Sequence, residues 1–97
     1  MAIYIMLFRF TEQGLKEIKE SPRRVEAAKE AFRAMGGELK QFYMVLGGYD
    51  TVFVIEAPDD ETAAKLALAI SSLGNVRTET LRAFSEEEYR KIIAGLP

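Results

Sequence analysis

The sequence contains no cysteine and no histidine. Without cysteine there can be no disulfide, no thiolate nucleophile and no Cys-built zinc or iron–sulfur site. Without histidine, the commonest general base near neutral pH and the commonest metal ligand are both missing. Acid–base chemistry would have to come from carboxylates, tyrosines or an arginine acting as an electrostatic stabiliser. Long apolar runs are missing too: no window reaches the roughly 18–20 apolar residues of a membrane span. The apolar start carries neither a basic leader nor a small-residue cleavage site, so it reads as a strand and not as a signal peptide. The expected compartment is the cytoplasm. Nor is there an excess of positive charge. Thirteen Lys and Arg stand against 15 Asp and Glu, a formal net charge of -2, which argues against a nucleic-acid or membrane-surface partner. No P-loop, dinucleotide fingerprint or RNA-binding aromatic motif occurs, and no cofactor or metal is expected.

What is present fits one domain over residues 1–97. A chain this short buries only roughly 60–70% of its unfolded surface, so a lone copy would be modestly stable.

Residues 2–10 form a dense aromatic and aliphatic run that predicts a buried strand. Residues 11–20 are polar, with Leu15 and Ile18 suggesting one or two helical turns. Ser21-Pro22 reads as an N-cap followed by a first-turn proline. Val25, Ala28, Phe32 and Met35 then recur at helical spacing until Gly36-Gly37 ends the helix. Strands are expected over 38–46 and 51–57, joined through Gly47-Gly48-Tyr49-Asp50 as a hairpin. Pro58 and Asp59 open the next helix, with Asp59, Asp60 and Glu61 at its positive end. Its apolar stripe is Ala63, Leu66, Ala67, Ile70 and Leu73, and Gly74 closes it. A fourth strand follows over 75–84. Ser85 and Glu88 stand in capping-box spacing before a last helix with Tyr89, Ile92, Ile93 and Leu96. The order β-α-β-β-α-β plus a terminal helix is that of a ferredoxin-like α+β fold with a four-stranded antiparallel sheet.

Two helices cover one face of such a sheet, so the other face decides how the molecule meets its surroundings. Period-two alternation separates two sets. The set Ile3, Ile5, Leu7, Phe42, Met44, Val52, Val54 and Leu81 is expected against the helices. The set Tyr4, Met6, Phe8, Gln41, Tyr43, Val45, Phe53, Ile55, Thr78, Thr80, Arg82 and Phe84 is expected on the bare face. A bare face this apolar exceeds what a monomer tolerates. A homodimer or higher homo-oligomer is therefore expected, with the polar atoms of that face lining a cavity for a small organic ligand or serving the interface alone.

Six stretches together resemble the GYD domain family. They are Tyr4-Ile5-Met6-Leu7, Ser21-Pro22-Arg23-Arg24, the run from Gly36 through Tyr43, Leu46-Gly47-Gly48-Tyr49-Asp50, Glu56-Ala57-Pro58-Asp59-Asp60, and the run from Gly74 through Phe84. The ordered set covers some 80 positions and is specific, where the tripeptide Gly48-Tyr49-Asp50 alone would be weak. The resemblance implies a dimeric α+β barrel and says little about activity.

The candidate ligand-binding residues are Tyr4, Tyr43, Tyr49, Asp50, Thr78, Thr80 and Arg82. Asp50 could act as a base or anchor an amine, or it could satisfy backbone amides of its turn. Tyr49 could stack on a ligand or close the apolar end of the barrel. Arg82 suits a carboxylate or phosphate, or an ion pair with Glu56 or Asp50 of a second copy. The acidic run at 59–61 reads as helix capping and not as a metal cluster. The alternating charges of 20–33 read as a solvated helix face. Two function classes stay open. One is a homo-oligomeric module that holds a small ligand between subunits. The other is a cofactor-independent oxygenase or isomerase of small aromatic compounds on the same fold.

Overall fold

The first helix-forming segment, the hairpin and the two capped helices emerge where local residue chemistry places them. The computed structural model describes residues 1–97. In chain order the elements are β1 (Ala2–Phe10), α1 (Glu12–Lys16), a 3₁₀ turn (Ile18–Glu20), α2 (Ser21–Ala34), β2 (Glu38–Met44) and β3 (Thr51–Ala57). They are followed by α3 (Asp60–Ser71), β4 (Val76–Ala83) and α4 (Glu86–Ala94). The strands form one antiparallel sheet in the order β2-β3-β1-β4. This is the ferredoxin-like α+β fold, with β1 and β3 central and β2 and β4 at the edges. No helix is long and apolar enough to cross a membrane.

Helix starts follow capping chemistry. Thr11 accepts from the Gly14 amide at 3.1 Å, and Asp59 accepts from the Thr62 amide at 2.8 Å. Ser85 and Glu88 form the full reciprocal box that their spacing predicts, at 2.9 and 3.1 Å. Ser21 differs from its expected role. It is itself helical, because α2 runs straight out of the 3₁₀ turn and takes no side-chain cap. Pro22 still lies in the first turn, where its missing N–H leaves nothing unpaired. Gly36 (φ 85°) takes the left-handed conformation that ends α2.

The core inverts the expected faces. Tyr4, Met6 and Phe8 of β1 and Phe53, Ile55 and Ala57 of β3 are buried against Phe32 of α2 and Ala63 and Leu66 of α3. Phe53 is the hub: its ring centroid lies 4.4 Å from Phe8, 6.0 Å from Phe32 and 5.6 Å from Phe42. Each buried aromatic contributes about 1.5–3 kcal/mol relative to exposure. The bare face instead carries Ile3, Ile5 and Leu7, with Val52 and Val54, and Leu81 and Ala83 as their register partners or neighbours. A bulge between Leu39 and Gln41 resets β2, so Phe42 and Met44 do face the helices while Gln41 and Tyr43 lie on the bare side.

The helices turn Phe32 and Leu66 toward the sheet, with Ala28, Ala63 and Ala67 beside them, and the larger side chains Tyr4, Met6, Phe8 and Phe53 pack against that mixed surface. Thr78, Thr80 and Arg82 can share the helix-facing parity because β4 is an edge strand, where polar ends reach water around the margin of the helix layer.

Gly14 is buried in α1 at the start of β4, where a Cβ would run into the Asn75 carbonyl. This contact, with the Thr11 amide bonded to the same carbonyl at 3.0 Å, seats α1 on the sheet end. By contrast, α4 makes no substantial packing contact with the rest of the chain. Its stripe of Tyr89, Ile92, Ile93 and Leu96 is about half exposed throughout. The radius of gyration is 14.6 Å and the long axis 52 Å, against about 12.5 Å for the radius of a compact domain of this length.

Candidate functional site

The seven candidate residues do not converge on one constellation. Tyr4 is buried beneath α3, and its hydroxyl donates to Asp60 at 2.5 Å. Burial, followed by that bond, pushes the Tyr4 phenol up to about 12. Thr78 lies within 3.1 Å of the Ser71 hydroxyl of α3, and Thr80 is exposed on the edge strand. The Arg82 guanidinium lies over the Phe84 ring at 4.5 Å and the Tyr4 ring at 5.6 Å. It meets Glu88 of the same chain at 3.8 Å. Arg82 thus faces the start of α4, not the bare face on which the alternation placed it. Tyr43, Tyr49 and Asp50 stand apart from these four.

Gly48, Tyr49 and Asp50 act as a latch between the β2–β3 link and the end of β1. The Gly48 carbonyl accepts from Arg9 Nε at 2.6 Å. The Asp50 carboxylate accepts from the Phe10 amide at 2.8 Å, and the Asp50 amide donates to the Phe8 carbonyl at 2.8 Å. The Tyr49 hydroxyl donates to Glu79, which raises the tyrosine's pKa, and the Arg9 guanidinium stacks 4.5 Å from its ring centre. Of the roles open to Asp50, the backbone-binding one is what the geometry displays. Leu7, Arg9, Tyr49, Arg77, Thr78 and Glu79 line a shallow cavity of about 270 Å³ at this corner.

A larger cavity, about 460 Å³, opens on the other side of the sheet between α2 and α3. Phe8, Phe32, Phe53, Leu66 and Ile70 form much of its wall, and Ala28 and Ala31 leave it wide. Four polar residues are among its lining: Ser21, Arg24, Thr51 and Asn75. Thr51 is 7% exposed as a residue, and no buried side-chain nitrogen or oxygen of the protein is left without a hydrogen-bond partner. Arg24 pairs with no carboxylate and instead donates to the carbonyls of Glu17 at 3.1 Å and Gly14 at 3.3 Å.

The family model of the GYD domain matches residues 4–93, nearly the whole chain, and with it the latch just described. The chain belongs to the GYD domain family. A relative from Thermus thermophilus is 38% identical over 84 residues, covering 86% of this chain and 88% of its own length. It is named a glutamine synthetase and cystathionine beta-lyase binding protein. A solved structure from the same organism aligns with a TM-score of 0.57 at 31% identity, over 88% of this chain and 95% of that one. The leucine response regulatory protein of Mycobacterium tuberculosis aligns at a TM-score of 0.66 and 17% identity. The alignment covers 87% of this chain, which spans only 51% of the regulator. That likeness is one of fold.

In this GYD domain the naming tripeptide is a structural latch, each of its residues tied to β1 or β4. The helix-side cavity was missed by sequence reasoning. Its one available signal is Thr51, a polar residue opening the otherwise apolar alternation of 51–57. Arg24 carried no signal, because it sits within a helix whose charges alternate.

Proposed function

We propose that this GYD domain is a self-associating binding module, a homodimer or larger homo-oligomer built by laying bare sheet faces together. The observation that carries the reading is the aliphatic strip Ile3, Ile5, Leu7, Val52, Val54 and Leu81, which no element of the chain covers. Charged groups stand at its ends: Glu56, 3.7 Å from Lys40, at one, and Arg9, Arg77 and Glu79 at the other. An apolar centre with a polar rim is the usual anatomy of a protein interface. The half-exposed stripe of α4 supports the same reading, since a second copy would give it something to pack on.

The name of the Thermus thermophilus relative supports a role in binding other proteins. Transferred to this chain, it favours a module that acts by docking onto enzymes over one that turns over a substrate. The idea of a ligand held between subunits finds support only at the Arg9–Tyr49–Glu79 corner, because the centre of the strip offers no polar atom.

Sedimentation equilibrium at micromolar concentration tests the self-association. The wild-type chain should run at twice its own mass or a higher multiple, and Ile5→Lys should shift it towards one copy. A wild type that sediments as a single copy sinks the reading. Binding to purified glutamine synthetase, with serum albumin as reference, tests the docking role separately.

A further inference from the structure

We propose that Arg9 and Arg77, paired at one end of the bare sheet face, form a binding site for the phosphate group of a small phosphomonoester. The site rests on the ligand-holding half of the function proposed above and not on self-association, because every donor comes from one chain.

The sheet register brings the two cations together. Arg9 of β1 stands directly opposite Arg77 of β4, and both are exposed. Like charges facing one another across neighbouring strands are destabilising, so the fold alone gains nothing from this pair. Neither guanidinium makes a salt bridge within the chain. The nearby carboxylate, Glu79, is instead held by the Tyr49 hydroxyl. Two cations and one anion leave the corner with a local excess of positive charge.

The latch also fixes how Arg9 presents itself. Its Nε donates to the Gly48 carbonyl at 2.6 Å, and its guanidinium lies 4.5 Å from the centre of the Tyr49 ring. Anchored through Nε and one face, Arg9 keeps both terminal nitrogens for a ligand. A guanidinium ordered beforehand loses less freedom when it binds. Arg77 donates to no group of its own chain, so its whole fork is open.

Both arginines line the shallow cavity of about 270 Å³ that also takes in Leu7, Tyr49 and Glu79. That volume lies just under the roughly 300–1,000 Å³ of small-molecule sites, which limits the ligand to a compact one. A dianion with three acceptor oxygens matches two guanidinium forks, whereas a single carboxylate satisfies one. The Leu7 side chain and the Tyr49 ring give the ester's organic part an apolar wall.

The test is an NMR titration of the whole chain with inorganic phosphate at pH about 8, where phosphate is a dianion, and at constant ionic strength. Acetate serves as the monocarboxylate comparison. Phosphate should give saturable shifts at the Nε–Hε groups of Arg9 and Arg77 and bind more tightly than acetate. Arg77→Gln should weaken phosphate by at least about threefold, within the range of an exposed charge pair. Arg77→Lys, which keeps the charge and loses the fork, should restore only part of that loss. Arg23→Gln, on the far side of the molecule in α2, should leave the affinity unchanged. The proposal is overturned if no saturable shift occurs at the two arginines, if acetate binds as tightly as phosphate, or if Arg23→Gln weakens binding as much as Arg77→Gln. Sedimentation of the same samples separates the two readings. A single copy that still binds phosphate sinks self-association alone, and an oligomer that binds none sinks this site alone.

Discussion

The Tyr4 hydroxyl donates to the Asp60 carboxylate at 2.5 Å, tying the central strand β1 to the first turn of α3. The phenol is buried among apolar side chains, so ionising it would place a negative charge in the core beside another. Its pKa accordingly rises from 10.0 to about 12. The raised value means the folded protein holds this proton more tightly than the unfolded chain. The associated stability is complete below pH 10 and declines between pH 10 and about 12. A tyrosinate absorbance titration should show one phenol ionising last, and Tyr4→Phe should remove that step. The variant should also lose about 0.5–1.5 kcal/mol of stability at pH 7, measured by urea unfolding, for the lost hydrogen bond.

Acid acts through the helix caps. The amide of Thr62 bonds the Asp59 carboxylate, and the amide of Ser85 bonds that of Glu88, lowering both pKa values from 3.8 and 4.5. A lowered folded pKa places the added stability above the ordinary carboxylate range and removes it as pH falls through the folded value. Asp59→Asn keeps a cap without a charge. Its melting temperature should lie below that of the wild type at pH 6, and the gap should close as pH drops below 3.8.

Gly14 allows α1 to lie against the Asn75 carbonyl. Gly14→Ala would force the short helix off the end of β4, because the opposing atom is backbone and cannot rotate away. The expected cost is about 1–3 kcal/mol in chemical denaturation. Amide exchange should quicken first at Thr11, whose N–H bonds the same carbonyl.

The fourth prediction concerns α4. Ile92 and Ile93 are 49% and 48% exposed on the apolar stripe of a helix that leaves its own domain. Ile92→Asp/Ile93→Asp should weaken self-association by at least about tenfold in Kd, as loss of buried interface side chains does. Near-ultraviolet circular dichroism of the dissociated chain should stay unchanged, since α4 contributes nothing to the core.

Much of the fold was legible because its signals are local. Asp59, Ser85 and Glu88 announce helix starts through side chains that reach amides three residues away, and Gly36 announces a helix end through its own φ. Where the seven candidate residues lie relative to one another was not legible. Tyr4 and Arg82 share an alternation with Met6 and Phe8, and alternation separates two faces without saying which one the helices cover. Both sets were apolar, so polarity could not break the tie.

The sequence by itself determined the element order, the capped helices, the antiparallel hairpin and the exclusion of cysteine and histidine chemistry. It also determined that both sheet faces would be apolar. Only the tertiary structure decided that Tyr4, Phe8 and Phe53 pack against the helices, leaving Ile5, Val54 and Leu81 on the bare face. It likewise placed Thr51 and Arg24 in one cleft, although they come from different elements. Local chemistry acts over a few residues, whereas the choice of covered face depends on how volumes from distant segments fit together.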